Sequence, residues 1–74
     1  MAEPGPFGLS PRHLDCLRLA ANGKTSIQIG AALGISPKTV EEYFGTIYAR
    51  LGVRNRIQAV AKALELGLIP PASL

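Results

Sequence analysis

The sequence predicts an all-α domain of four short helices, and three observations carry that prediction. Apolar residues recur at spacings of three and four. No stretch alternates apolar and polar residues as a half-buried strand would. Each periodic segment begins at a capping residue and closes at a glycine. Residues 1–8, with two prolines and two glycines, read as a flexible N-terminal arm. The first helix opens at Leu9-Ser10-Pro11, where Ser10 caps, Pro11 fills the first helical position and Leu9 serves as a hydrophobic staple. It runs to about Asn22 and stops at Gly23, with Cys16, Leu17 and Ala20 inward and His13 one turn earlier.

The second helix covers about 26–33 and the third 37–51. Thr25 and Gln28 have the spacing of a capping box, in which hydroxyl and amide satisfy backbone N–H groups that the helix start leaves free. Gly34 stands where the second helix ends in a left-handed residue. Ser36 and Pro37 start the third helix. Ile29, Leu33, Ile35, Val40, Phe44, Ile47 and Leu51 form one apolar stripe over both helices, and Gly30 permits their close crossing. Two short helices with so tight a turn make a helix-turn-helix, whose usual use is to lay its second helix in the major groove of DNA. Gly52 closes the third helix, with Val53 supplying a hydrophobic contact. Asn55, again with a glutamine three residues on, starts a fourth helix over about 56–66. Ile57, Val60, Ala61 and Leu64 are its expected inner stripe. Gly67 and Pro70-Pro71 end it, leaving 70–74 as a C-terminal tail.

Seventy-four residues make one domain. At this size folding buries only about 60% of the unfolded surface, so a partner subunit would add to a marginal stability. The formal charge of +3 permits an acidic partner without requiring one. A single cysteine, Cys16, excludes a disulfide within the chain and reads as a buried, reduced thiol. One histidine, one cysteine and no glycine-rich phosphate loop leave no catalytic constellation and no metal cluster, so neither an enzyme nor a cofactor is expected. No apolar run approaches a membrane span and no signal-peptide core precedes the domain, so no membrane association and a cytoplasmic location are expected.

The string LSPRHLDCLRLAANGKTSIQIGAALGISPKTVEEYFGTIYARLGVRNRIQAVAKALELGLI, residues 9–69, resembles the DNA-binding domain of LuxR/FixJ-type bacterial transcription regulators. The most specific matches are Leu9-Ser10-Pro11-Arg12, Gly34-Ile35-Ser36 with Lys38-Thr39-Val40, Leu51-Gly52-Val53, and Asn55-Arg56 with Gln58-Ala59. The resemblance implies a four-helix LuxR-type helix-turn-helix domain. Its third helix would enter the major groove of double-stranded DNA, and its fourth would form a homodimer on a two-fold symmetric operator. Members of this family usually carry a receiver or ligand-sensing domain in front. The expectation here is either a stand-alone DNA-binding domain or the C-terminal piece of a longer protein. Its partners beyond DNA would then be an N-terminal sensor domain or a full-length relative.

With Val40, Phe44, Ile47 and Leu51 turned inward, the opposite face of the third helix holds Lys38, Glu41, Glu42, Gly45, Thr46 and Ala49. Glu41, Glu42 and Gly45 match positions at which the family reads bases, and Thr46 shares that face. Lys38 and Thr39 in its first turn, and Thr25 and Ser26 at the start of the second helix, are placed to meet phosphates. Lys24, Arg50, Arg54 and Arg56 supply further positive charge, and the last two resemble positions at which the family grips phosphate. The alternative for each basic residue is a solvated surface charge.

The chain departs from the family where relatives carry basic or polar readers and this chain carries Glu41 and Glu42. A glutamate either accepts from cytosine N4, repels nearby phosphates, or pairs with Lys38 on the helix surface. Tyr43, where many relatives have histidine, either reaches a phosphate or lies half-buried between helices. His13 replaces a common glutamate and reads as a surface or boundary residue. Ala59, Lys62, Ala63 and Leu66 are the candidate dimer surface, against a plain amphipathic helix as the alternative, and Leu14 and Leu19 are candidates for exposed apolar contacts. The competing function is a protein-interaction module that pairs with full-length relatives and inhibits them, a reading the two glutamates favour.

Overall fold

In the computed structural model, which describes residues 5–71, a tight turn at Pro6–Gly8, left-handed at Phe7 (φ 60°) and Gly8 (φ 72°), precedes four α-helices. These are α1 (Pro11–Ala21), α2 (Ser26–Leu33), α3 (Pro37–Leu51) and α4 (Arg56–Glu65). No strand occurs among the described residues. The helix starts are set by side chains. Thr25 Oγ1 accepts from the Gln28 N–H at 3.2 Å while Gln28 Oε1 accepts from the Thr25 N–H at 2.9 Å, completing a reciprocal box. Ser36 Oγ accepts from the Thr39 N–H at 3.0 Å. At α4 the box is half made: Asn55 accepts from the Gln58 N–H, but the Gln58 amide oxygen takes the Arg54 N–H at 2.9 Å instead.

The turn between α2 and α3 depends on two glycines. Gly34 is left-handed at φ 72°, which lets the Ile35 N–H reach the Gly30 carbonyl at 2.9 Å. Gly30 is buried, and a Cβ there would stand 2.5 Å from the Ile35 carbonyl oxygen. Its small size therefore serves the backbone of the turn itself.

α3 runs through the middle of the fold, packed against α1, α2 and α4. The core is Leu9, Cys16, Leu17, Ile29, Val40, Phe44, Ile47, Leu51, Ala59, Ala63 and Ile69. Cys16 is a free, buried thiol, held above its ordinary pKa by burial and then by the Asp15 charge.

Two expectations are corrected. The inner face of α4 is Ala59 and Ala63, both fully buried, with Val60 of the expected stripe half-buried against the core, whereas Ile57 is 82% exposed and Leu64 38%. Short alanines allow the backbone of α4 to sit close against α1 and α3, and the bulk in that layer comes from residues such as Leu17 and Phe44. Leu14 and Leu19 are half-buried against the core rather than exposed. Residues 5–8 of the expected arm form a turn: the Gly5 N–H donates to the Leu9 carbonyl at 2.8 Å, and the Pro6–Gly8 turn packs on α3. Residues 1–4 and 72–74, the rest of the expected arm and most of the expected tail, lie outside the described residues.

Candidate nucleic-acid interface

α3 buries Val40, Phe44, Ile47 and Leu51 and turns Lys38, Glu41, Glu42, Gly45 and Ala49 to solvent. Thr46, on the same side, is half-buried. The opposition follows from the helical period: four inward anchors at spacings of four, three and four leave about half the circumference free. At its N-terminal end Thr39 is tied down, its hydroxyl 3.0 Å from Ser36 Oγ, while Lys38 is exposed.

Next to this surface, side chains from three helices converge. Glu41 Oε2 accepts from the Ser26 hydroxyl and from Arg56 Nη2, the latter at 3.1 Å. Arg56 Nη2 also donates to Ser26 Oγ at 2.7 Å, and Nη1 reaches the Lys24 carbonyl at 3.4 Å. The guanidinium lies over the Phe44 ring, 4.3 Å from its centroid, a cation–π arrangement. The pairing partner of Glu41 is thus Arg56, from α4, and not Lys38. The structure brings the Ser26, Glu41 and Arg56 side chains together with the Lys24 carbonyl; Lys24, Thr25 and Arg54 are exposed on the loops beside them.

Arg50 and Tyr43, also expected at phosphates, lie away from this cluster. Arg50 is about 18 Å along α3 from Lys38 at helical rise and sits under the N-terminal turn, where a Cβ on Gly8 would be 3.2 Å from its Nη1. Tyr43 is half-buried and meets the His13 ring edge-on. His13 itself is a capping residue: its Nδ1 accepts from the Ser10 N–H at 2.9 Å, closing a box with Ser10. The signal for it lies in the sequence, since Ser10 and His13 have the same three-residue spacing as Thr25 and Gln28. On α4, Lys62 is half-buried and Leu66 is 37% exposed, while Ala59 and Ala63 cannot form an outer surface. Among the described residues no three or more metal-ligating side chains gather, and no helix is long and apolar enough to cross a membrane.

A fold of four helices with a helix-turn-helix at α2–α3 and an exposed α3 face defines a class, and comparison with known proteins defines it further. The family described as bacterial regulatory proteins, luxR family, matches residues 8–63, and the chain belongs to that family. It is 49% identical over 61 residues to the HTH-type quorum sensing-dependent transcriptional regulator VjbR of Brucella abortus, covering 82% of this chain and 24% of that protein. It is 43% identical over 60 residues to the transcriptional activator protein PhzR of Pseudomonas fluorescens, covering 81% and 25%. The chain thus spans about a quarter of the length of these relatives. Among solved structures, the transcription factor GerE superposes with a TM-score of 0.80 at 31% identity, over 84% of this chain and 92% of that one. A LuxR-type receptor, the Vibrio cholerae VqmA dimer, superposes with a TM-score of 0.78 at 32% identity, over 85% and 29%.

Proposed function

We propose that this chain is a sequence-specific DNA-binding domain of a transcription regulator, with α3 in the major groove. The observation that carries the reading is the division of α3 between four buried anchors and an exposed face of Lys38, Glu41, Glu42, Gly45 and Ala49. Lys24, Thr25, Ser26, Lys38, Thr39, Arg54 and Arg56 flank that face and meet phosphates; Glu41, Glu42, Gly45 and Thr46 face the bases. Arg50 and Tyr43 stand apart from this group.

The dimer surface is the exposed apolar side of α4, Ile57, Ala61 and Leu64, with half-buried Val60 at its edge. An exposed apolar row on one helix is a surface that a second subunit covers. The VqmA structure is of a dimer, which supports this reading. A cytoplasmic site of action, and a sensor domain or full-length relative as the source of regulation, belong to the same proposal.

The test is a salt titration on duplex DNA. Log affinity should fall by roughly 0.9 per log of salt for each phosphate neutralised. Lys38→Ala and Arg54→Ala should each weaken binding to all sequences alike, with a correspondingly shallower slope. Absence of binding at low salt overturns the reading.

A second reading is favoured by one observation, the exposed row on α4: the chain pairs through it with full-length relatives and blocks them. Mixing with a full-length relative separates the two readings. Loss of the relative's DNA binding, with none by this chain alone, selects the second.

A further inference from the structure

We infer that the Glu41 carboxylate is an internal stand-in for a DNA phosphate, occupying Ser26 and Arg56 until the duplex displaces it, and that its release makes Glu41 a specificity-determining residue. The inference rests on the DNA-binding reading above and deepens it.

A hydroxyl from the first residue of α2 and a guanidinium from the first residue of α4 converge on one oxygen, Glu41 Oε2. A hydroxyl and a guanidinium aimed at one anionic oxygen are equally suited to a phosphate oxygen. The two sides of the pair are held unequally. Arg56 is anchored without Glu41, since its guanidinium covers the Phe44 ring at 4.3 Å and reaches the Lys24 carbonyl, and only 28% of its side chain is exposed. The Glu41 side chain is 60% exposed and makes its contacts through Oε2 alone. A pair with one so exposed member is weakly held and readily exchanged. The guanidinium is the fixture and the carboxylate is the removable part.

Exchange has two consequences. Before contact, Glu41 neutralises one of the cations beside the groove-facing surface, so part of the attraction for phosphate is masked. After contact, the freed carboxylate stands on the exposed side of α3, where cytosine N4 satisfies it and other base edges leave it unpaired near the backbone. Glu42, the next residue, is exposed and has no such partner among the described residues, so it is the internal control.

The experiment measures affinity for a fixed mixed-sequence duplex across a salt series, using the wild-type chain, Glu41→Gln, Glu42→Gln, Arg56→Ala and Glu41→Gln with Arg56→Ala, each checked for helicity. Glu41→Gln should tighten binding about two- to fivefold more than Glu42→Gln and steepen the salt slope by up to about 0.9. Arg56→Ala should weaken binding by a larger factor in the Glu41→Gln background than in the wild type. If Arg56→Ala fails to fold, Arg56→Gln, which keeps a stem to lie over Phe44 but loses the charge, reads the same coupling. Equal effects of the two glutamine variants with no coupling to residue 56 overturn the inference and leave the DNA-binding reading standing. If no variant binds at any salt, the DNA-binding reading fails first and this inference falls with it.

Discussion

The rings of His13 and Tyr43 meet edge to face, their centroids 5.1 Å apart and their planes at 88°. The contact joins the start of α1 to the middle of α3, and it puts the imidazole where burial and the nearby Arg50 charge hold its pKa below the ordinary 6.5. The same ring closes the α1 cap, because Nδ1 accepts the Ser10 N–H only while it carries no proton. Packing and protonation of one side chain are therefore linked.

Stability should consequently depend on pH through His13. Its folded-state value is lowered, so as pH falls the unfolded chain takes up the proton first. The contribution is fully present above about 6.5 and is lost as pH falls toward the lower folded-state value. His13→Glu keeps an acceptor at the third helical position and titrates only near about 4.3. Urea midpoints should fall between about pH 7 and pH 5 for the wild type and stay flat for His13→Glu. Equal slopes for both would remove His13 as the cause.

Two glycines should respond oppositely to alanine. Gly30→Ala drives a methyl group to 2.5 Å from the Ile35 carbonyl oxygen, and the backbone of the turn must move. A loss of about 1–3 kcal/mol is expected, as for other overpacked sites. Gly45, in the body of α3, has nothing within 4 Å of the place a methyl group would take. Gly45→Ala should stabilise by about 0.5–1 kcal/mol through helix propensity alone. Chemical denaturation of the two variants beside the wild type checks both signs.

The legible parts of this fold are those whose causes are local. Ser10, Thr25, Ser36 and Asn55 each announce a helix start within three residues, and each accepts the N–H of the residue three positions on. The α3 stripe is equally plain, because its inward residues are bulky and its outward ones polar. α4 is not, because both of its sides are apolar. Ile57, Ala61 and Leu64 outweigh Ala59 and Ala63 on any hydrophobicity scale, yet closeness of backbones decides which side goes in. The Glu41–Arg56 pair joins residues fifteen apart on different helices, and no short-range pattern encodes it. His13 is legible as a cap by its spacing; reading it as a replacement for glutamate draws notice away from the ring nitrogen's ability to accept.

Substitutions on the two sides of α4 should have opposite signatures. Ala59 and Ala63 are fully buried, so Ala59→Leu or Ala63→Leu must force α4 away from its neighbours and should lower stability by about 1–3 kcal/mol. Ile57 is 82% exposed in the single chain, so Ile57→Glu should alter its stability by no more than about 0.5 kcal/mol. If the outer row is the dimer surface, Ile57→Glu with Leu64→Glu should nonetheless abolish self-association in sedimentation and cooperative binding to a palindromic duplex, because two charged rows would then oppose one another across the interface. A double variant that still dimerises would place the interface on another face, and an Ala63→Leu variant as stable as the wild type would reverse the assignment of the buried side.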